Sequence, residues 1–488
     1  MRTANEVTYS NLINGELQAA MHTIDSIDPA TGKVWAKIPS STVEDVDAAV
    51  AAARAAFPSW SGLTGEERAH YLRAVGDKLT EYAEELAALE TQDNGWVIRE
   101  TSYGLIPVLK RLWYDAAGAA ANANRGETIP MGDTSFGYTV REPFGVIAGI
   151  LPWNAPLFTF TLKAAYALAA GNTIILKPSE QASVSSLRYS EILKDLLPAG
   201  TLNTVSGLGS EIGDALVQHP GVDKVSLTGS GRTATAIIQA TSTKPKPITL
   251  ELGGKSPNII FADANLDKAV EAIASYIIYT GNAGQICVGG SRILVERPVY
   301  EEVIERLTEV MSRSVLLGNT LHPETTMGPI ANAPQYEKVR AYIELGKKEG
   351  ELVFGGRYGG IELFPEGSPY EGGYWIEPTL FKVNSNSLRI CQEEVFGPVA
   401  TIMPFQTEEE AVAIANDTNY GLAAGVWTND LSTAQRMVRR LHAGNVWVNT
   451  YGRVGPELPF GGMKDSGYGT DSILEFTREK SCVIEIEA

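Results

Sequence analysis

Cysteine and histidine are scarce in this chain of 488 residues: three cysteines (Cys287, Cys391, Cys482) and five histidines (His22, His70, His219, His322, His442). None of the cysteines forms a C-x-x-C pair, and no two histidines have H-x-x-x-H spacing. Neither a disulfide framework nor a protein-held metal is expected. Basic residues are outnumbered, with 40 Lys and Arg against 58 Asp and Glu, for a net charge of −18. Nucleic acid and anionic membranes both call for a basic face, so neither is an expected partner. No run reaches the roughly 18 apolar residues of a membrane span, and residues 1–10 have no apolar core of a secretory signal. The expected compartment is the cytoplasm. Hydrophobic residues make up 44% of the chain, enough to fill more than one core, and the length predicts about two or three domains.

Up to about residue 126 the chain reads as a few strands followed by long helices. Asn14-Gly15 and Pro29-Ala30-Thr31-Gly32 are turns. Thr42 opens an alanine-rich helix expected to end before Pro58. Thr64 and Glu67 form a capping-box start for a helix expected to run towards Leu89. From Gly145 short apolar strands (146–151, 173–176, 202–205, 224–227) alternate with helices (162–170, 183–197, 211–218, 233–241). This alternation predicts an α/β fold whose parallel sheet is covered on both faces. Ligands in such sheets bind at the carboxyl ends of the strands. A second α/β region begins near Gly253, with strands at 259–261, within 395–404 and at 445–448, and helices at 266–279, 300–316, 335–346 and 408–416. Residues 136–141 and 481–487 alternate but fit neither region. They read as strands that pair with, or are capped by, another subunit. Residues 355–373 read as a loop.

Cys287 lies in Gly284-Gln285-Ile286-Cys287-Val288-Gly289-Gly290. A lone cysteine in a glycine-rich turn suits a nucleophile, and it equally suits an inert buried thiol. Three strand ends suit a nucleotide. Gly207-Leu208-Gly209-Ser210-Glu211-Ile212-Gly213 resembles a dinucleotide turn but is one residue longer than the usual form. Thr228-Gly229-Ser230-Gly231 offers free N–H groups at a helix start. In Lys177-Pro178-Ser179-Glu180, Lys177 is a donor to hydroxyls or phosphate and Glu180 an acceptor for a ribose diol. A carboxylate there repels a 2′-phosphate, which favours NAD over NADP. Asn154, held in Pro152-Trp153-Asn154-Ala155-Pro156, is either an oxyanion donor or a loop-stabilising amide. Glu251, between Leu250 and Leu252, is either a general base of raised pKa or the partner of Lys255. Glu394 and Phe396 precede a strand, placed to hold a ribose and flank a nicotinamide ring.

Seven motifs in order resemble the NAD(P)-dependent aldehyde dehydrogenase superfamily. They are Pro152-Trp153-Asn154, Lys177-Pro178-Ser179-Glu180, Thr228-Gly229-Ser230, Glu251-Leu252-Gly253-Gly254-Lys255, Gly284-Gln285-Ile286-Cys287, Glu394-Val395-Phe396-Gly397-Pro398 and Pro459-Phe460-Gly461-Gly462. The resemblance covers nearly the whole chain. It implies a Rossmann-like NAD-binding domain (1–125 and 142–252), an α/β catalytic domain (253–465) and a small β oligomerisation arm (126–141 and 466–488). It implies oxidation of an aldehyde to a carboxylic acid with reduction of NAD, NADP being the alternative cofactor. Cys287 looks like the nucleophile, Asn154 the oxyanion donor and Glu251 the base that hydrolyses the thioester, with Lys177 counted among both catalytic and cofactor residues. Cofactor contacts are implied for Ile150, Leu151, Pro152, Trp153, Lys177, Ser179, Glu180, Gly209, Gly213, Gly229, Ser230, Leu252, Gln335, Glu394 and Phe396.

The chain departs from the family pattern in places. Gly231 and Ala234 stand where many members have threonine and a second glycine. Ala155, Gly281 and Val454 stand where aromatics are common near the substrate, while Phe158 and Phe460 remain. The expectation is a roomier tunnel for an apolar or aromatic aldehyde, unless neighbours such as Tyr451 repack it. Arg453 is a candidate for binding an acid-bearing semialdehyde, or else it points outward. A homodimer or homotetramer is expected. Alternatives on the same residues are a semialdehyde-specific or coenzyme-A-acylating dehydrogenase, a thiol esterase without redox chemistry, and a non-catalytic relative.

Overall fold

The computed structural model describes residues 7–275, 278–455 and 458–486. Its first sheet has eight strands. Five are parallel and run, side by side, Leu202–Thr204, Thr173–Lys177, Val146–Ile150, Lys224–Thr228 and Ile248–Glu251. Every residue of Thr173–Lys177 is buried, as a strand covered on both faces requires. Chain order reverses between Val146–Ile150 and Lys224–Thr228, which opens a crevice at their carboxyl ends. The register lines those ends up: Lys177 pairs with Ile150, Ile150 with Leu227, and Thr228 with Glu251. Antiparallel strands close both edges. Asn11–Ile13 and Glu16–Gln18 form a hairpin on one side, turning at Asn14 and Gly15, which both have positive φ. On the other side Gly467–Tyr468 pairs with the end of Ile248–Glu251, so these two residues of the expected arm are part of this sheet.

Helices cover the sheet. Val43–Ser61 is opened by the Thr42–Asp45 capping box and buries Val46, Ala49, Val50 and Ala53. It does not stop before Pro58, as expected, but continues through it. The last turn is held by Trp60, which is 1% exposed, donates from Nε1 to the Leu168 carbonyl at 3.1 Å and packs on Tyr71. The helix expected from Thr64 to Leu89 is two helices, Gly65–Glu81 and Ala83–Asn94. The break falls at Tyr82, whose ring lies under Lys78 and Arg188. The helix expected to begin at Leu162 starts at Pro156, where the fixed φ of proline suits a first helical position. The one expected at 211–218 begins as a π-helical turn at Gly209–Gly213.

The second sheet has seven strands in the order Glu351–Phe354, Thr379–Lys382, Val399–Phe405, Arg292–Glu296, Pro257–Ile260, Ala423–Trp427 and Asn445–Val448. All neighbours are parallel except the first pair. Leu266–Ala274 ends earlier than expected, and Tyr276 and Ile277 lie outside the described residues. Residues 355–373 are mostly loop, with one short helix at Gly360–Leu363. Just beyond it, Trp375 Nε1 donates to the Ala30 carbonyl at 2.9 Å and so ties this domain to the Pro29–Gly32 turn.

The two outlying segments correct an expectation. Ser135–Pro143 and Thr477–Glu485 pair with each other in one chain, over nine residues from Thr477–Pro143 to Glu485–Ser135, with Thr128–Pro130 on the far side. Each thus finds a partner within the chain, and Thr477–Glu485 keeps one edge unpaired. Glu487 lies outside the described residues.

Candidate active site

Asn154 follows the strand Val146–Ile150 and is held from three directions. Its carbonyl accepts from Asn94 Nδ2 at 3.2 Å and Asn282 Nδ2 at 2.6 Å, while its own amide donates to the Gln285 carbonyl at 2.8 Å. Gln285 is itself fully buried and fixed, donating to the Asn282 carbonyl and accepting from Ala331 N–H. The loop carrying Cys287 is therefore tied to Asn154 two residues before the cysteine. One N–H of the Asn154 amide is used in that tie, and the other remains for a ligand.

Cys287 is partly exposed and has no disulfide partner. Burial pushes its thiol up to about 12, and the nearby carboxyls of Glu251 and Glu394 push the same way. The N–H groups of Val288 and Cys287 act in the opposite sense, as groups that stabilise negative charge beside this sulfur.

Glu251 ends the strand Ile248–Glu251 and is 3% exposed. Neither carboxyl oxygen has a hydrogen-bond partner. Burial raises its pKa strongly, the Asp471 carboxylate adds to the rise, and Lys163 opposes it. Lys255, the alternative partner suggested by the sequence, is not among the charges that act on Glu251. Lys255 sits instead near Cys391, Arg292 and Glu394.

The implied cofactor residues gather along the row of strand ends. Leu151 N–H donates to the Lys177 carbonyl at 3.0 Å, which carries Ile150, Leu151, Pro152 and Trp153 out over the sheet. Lys177 is 4% exposed, with its ammonium 3.2 Å from the Pro178 carbonyl and 3.5 Å from Glu180 Oε2. Burial lowers its pKa. Ser179 Oγ caps the turn by accepting from Gln181 N–H. Ser230 caps the helix Gly231–Thr241, its hydroxyl accepting from Thr233 N–H at 3.2 Å, and Gly229 precedes it. A Cβ at Gly209 or Gly213 would meet nothing within 4 Å, so these glycines border open space rather than a close packing contact.

Across the crevice, Glu394 accepts from Gly254 N–H at 3.0 Å and lies against Gly253, next to Leu252. Phe396 has φ +60°, a region costly for a side-chain-bearing residue. Gln335 Nε2 holds it there, donating to the Val395 and Phe396 carbonyls at 2.9 and 2.8 Å. Gln335 is thus a brace for this loop. The Phe396 ring meets Trp153 edge-on, centroids 5.4 Å apart. A narrow cleft of about 20 Å³ runs between Gly254, Gly284, Ile286, Glu394, Phe396 and Gly397.

A sequence model described as the aldehyde dehydrogenase family matches residues 17–482. The chain belongs to the aldehyde dehydrogenase family. An aldehyde dehydrogenase of Rhodospirillum rubrum is 41% identical over 475 residues, 95% of this chain and 91% of its own. The NAD-complexed aldehyde dehydrogenase of Bacillus cereus has a TM-score of 0.93 at 40% identity, covering 98% of this chain and 97% of that one. The NAD-dependent aldehyde dehydrogenase of Sinorhizobium meliloti has a TM-score of 0.94 at 37% identity, covering 99% and 96%.

Within this aldehyde dehydrogenase, the structure adds residues that sequence reasoning missed. Lys163 and Asp471 form a buried pair beside Glu251, Nζ to Oδ1 3.5 Å. A lysine inside the otherwise apolar helix Pro156–Ala169 was a usable signal, because a buried charge demands a partner. Asp471, Asn94 and Asn282 carried no such signal.

The tunnel expectation is partly overturned. Gly281 does not leave a void: a Cβ there would lie 1.9 Å from Glu100 Oε2, so the Glu100 carboxyl fills the place of a side chain. Tyr451 is spoken for, donating to the Val288 carbonyl at 2.8 Å. Arg453 is exposed.

Proposed function

We propose that this chain oxidises an aldehyde with a largely apolar body to the free carboxylic acid, using NAD and the thiol of Cys287. The observation that carries this reading is the meeting of three groups: a lone thiol, an amide clamped two residues from it, and, acting on the thiol, a buried carboxyl without a protein partner at the end of the strand Ile248–Glu251. The Cys287 thiol gives up its proton to solvent, the thiolate adds to the carbonyl carbon, and the carbonyl oxygen becomes an alkoxide. The free N–H of Asn154 and the backbone N–H of Cys287 hold that charge. NAD bound along the strand ends would accept the aldehydic hydrogen as hydride, which leaves the carbonyl carbon joined to Cys287 as a thioester. Glu251 then takes a proton from water, whose oxygen attacks the thioester carbon and releases the acid and the thiolate.

The residues fit NAD. Lys177 and the start of helix Gly231–Thr241 present donors, Gly209 and Gly213 border open space, and Glu180 places a carboxylate where a 2′-phosphate would be repelled. The first sheet is the NAD-binding domain and the second carries Cys287. The three-stranded sheet serves assembly into a homodimer or homotetramer. Its outer strand Thr477–Glu485 lies at the sheet edge, and Val483, Ile484 and Ile486 nearby are exposed. No helix among the described residues is long and apolar enough to cross a membrane. Free cysteines fit a reducing cytoplasm.

The test is NADH formation by the purified protein with a panel of aliphatic, aromatic and acid-bearing aldehydes. Oxidation with NAD, weaker with NADP, is expected, and Cys287→Ala abolishes it while calorimetry still registers NAD binding. No oxidation of any aldehyde, or strict dependence on coenzyme A, overturns the reading.

A further inference from the structure

We propose that Glu90 is a positioning residue for the oxyanion donor Asn154, because it holds the first turn of the helix that begins two residues after Asn154. This rests on the reading of Asn154 as that donor. The helix Pro156–Ala169 opens without a cap of its own. Ala155 stands at the capping position, where a side-chain oxygen is the usual acceptor, and has none to offer. Pro156 has no N–H, so the first helical donor at this end is Leu157 N–H. It donates to Glu90 Oε1 at 3.3 Å. The missing cap is supplied by a different helix.

Glu90 lies on Ala83–Asn94, one turn before Asn94 and so on the same face. Asn94 Nδ2 donates to the Asn154 carbonyl at 3.2 Å. Its Oδ1 accepts from Trp96 N–H at 2.9 Å, which sets the amide that way round. One helix face thus grips the segment at both ends, Asn154 through Asn94 and Leu157 through Glu90. Glu90 is itself fixed. It is fully buried, and Ser185 Oγ, in the first turn of the helix Val184–Leu193, donates to Oε2 at 2.5 Å. Asp93 Oδ2 accepts from Val184 N–H at 2.8 Å, a second bond between the same two helices. Burial raises Glu90 to about 8, and the Ser185 and Leu157 donors oppose the rise. Oε1 accepts from Leu157 whether or not the carboxyl is ionised, and the Oε1 of a glutamine would do the same. Glu90 touches no substrate. Its effect runs through the place of the Asn154 amide, where an error of about 1 Å can cost about a hundredfold in rate.

The experiment is a double-mutant cycle, read as kcat and KM for hexanal, an aldehyde of the apolar class proposed above, at saturating NAD. The variants are Glu90→Leu, Glu90→Gln, Asn154→Ala and the combination of Glu90→Leu with Asn154→Ala. Glu90→Leu is expected to lower kcat about tenfold with KM and NAD affinity unchanged, the mark of an interaction made only in the transition state. Glu90→Gln keeps the acceptor and stays within about twofold of the wild type. With Asn154→Ala already in place, Glu90→Leu costs less than about twofold, because the group it positions is gone. The same tenfold loss in both backgrounds, or a parallel loss of NAD affinity, shows a merely structural role and overturns the proposal. Where Glu90→Leu does not fold, Ser185→Ala, which releases Oε2, takes its place in the cycle. About a threefold loss is then expected with Asn154 present and none with Asn154→Ala. Unchanged kcat in Glu90→Leu beside a large loss in Asn154→Ala overturns this proposal alone. Wild-type kcat in Asn154→Ala overturns the oxyanion reading and this proposal with it.

Discussion

Lys163 Nζ lies 3.5 Å from Asp471 Oδ1, with the two side chains 0% and 2% exposed. Lys163 also donates to Ser226 Oγ at 2.9 Å. The pair joins the helix Pro156–Ala169 to the segment just beyond Gly467–Tyr468, and both charges act on Glu251 in opposite senses. Glu251 thus sits between an anion that holds its proton and a cation that draws it off. Neither partner needs to touch substrate to govern hydrolysis. Both are positioning residues for the charge of the base.

Opposite shifts follow for the pH dependence of the hydrolytic step. If Glu251 is the base, as proposed, activity needs it ionised and rises with pH through the raised pKa. Asp471→Asn removes the charge that raises it, and the rising limb moves to lower pH. Lys163→Met removes the opposing charge and moves the limb to higher pH. Lys163→Met also leaves Asp471 buried and unpaired, at a cost of about 3–5 kcal/mol. A pH profile of kcat together with urea unfolding checks this. Shifts in the same direction for both variants would show that the pair has only a structural role.

Glu251→Gln separates stability from activity. Folding holds Glu251 protonated above its ordinary value of 4.5. Between that value and the raised one, the folded chain binds more protons than the unfolded chain, so this residue costs stability as pH climbs. The glutamine variant has no such dependence. Its Tm advantage over the wild type grows from pH 5 to pH 9 by a few degrees, on the order of 1 kcal/mol per 4 °C or less, while hydrolysis fails and a thioester accumulates. A Tm difference that is flat with pH falsifies the account of the buried carboxyl.

How far the sequence was legible depends on the range of the physics involved. The parallel strands could be read because burial on both faces leaves continuous apolar runs such as Thr173–Lys177. Residues at the strand ends came with them, since register is a consequence of strand pairing, and Cys287, Asn154 and Glu251 carry local motifs. Tertiary packing overrode local rules elsewhere: Trp60 carried a helix through Pro58, and Tyr82 broke another. The contact between Glu100 and Gly281 spans 181 positions and depends on two domains meeting, so an absent side chain was read as empty space. The pairing of Ser135–Pro143 with Thr477–Glu485 was hidden for the same reason, although each strand was recognisable alone.

Gln335 bears on cofactor affinity through the loop it braces. Gln335→Ala frees the Val395 and Phe396 carbonyls from two hydrogen bonds made at a buried site. Each bond contributes about 1 kcal/mol, and Phe396 then relaxes from its positive φ. NAD affinity falls about tenfold or more by calorimetry, and the emission wavelength of Trp153, whose ring packs on Phe396, shifts in the free protein. Unaltered NAD affinity would mean that the loop holds itself.

The raised pKa of Cys287 makes a quantitative demand on its reactivity. Its thiol is pushed up to about 12 by burial, with Glu251 and Glu394 adding to the rise. Only the thiolate reacts with iodoacetamide, and below the pKa its fraction rises tenfold for each pH unit. Alkylation of the cofactor-free protein therefore accelerates about tenfold per unit from pH 7 to pH 10 without reaching a plateau. Glu394→Gln removes one of the carboxyl charges and accelerates the reaction at every pH in that range. The other two cysteines do not confuse the readout, because Cys391 is fully buried and peptide mapping separates Cys482. A plateau near neutral pH would mean that the thiolate already exists at rest, stabilised by the N–H groups of Cys287 and Val288 more strongly than burial opposes it.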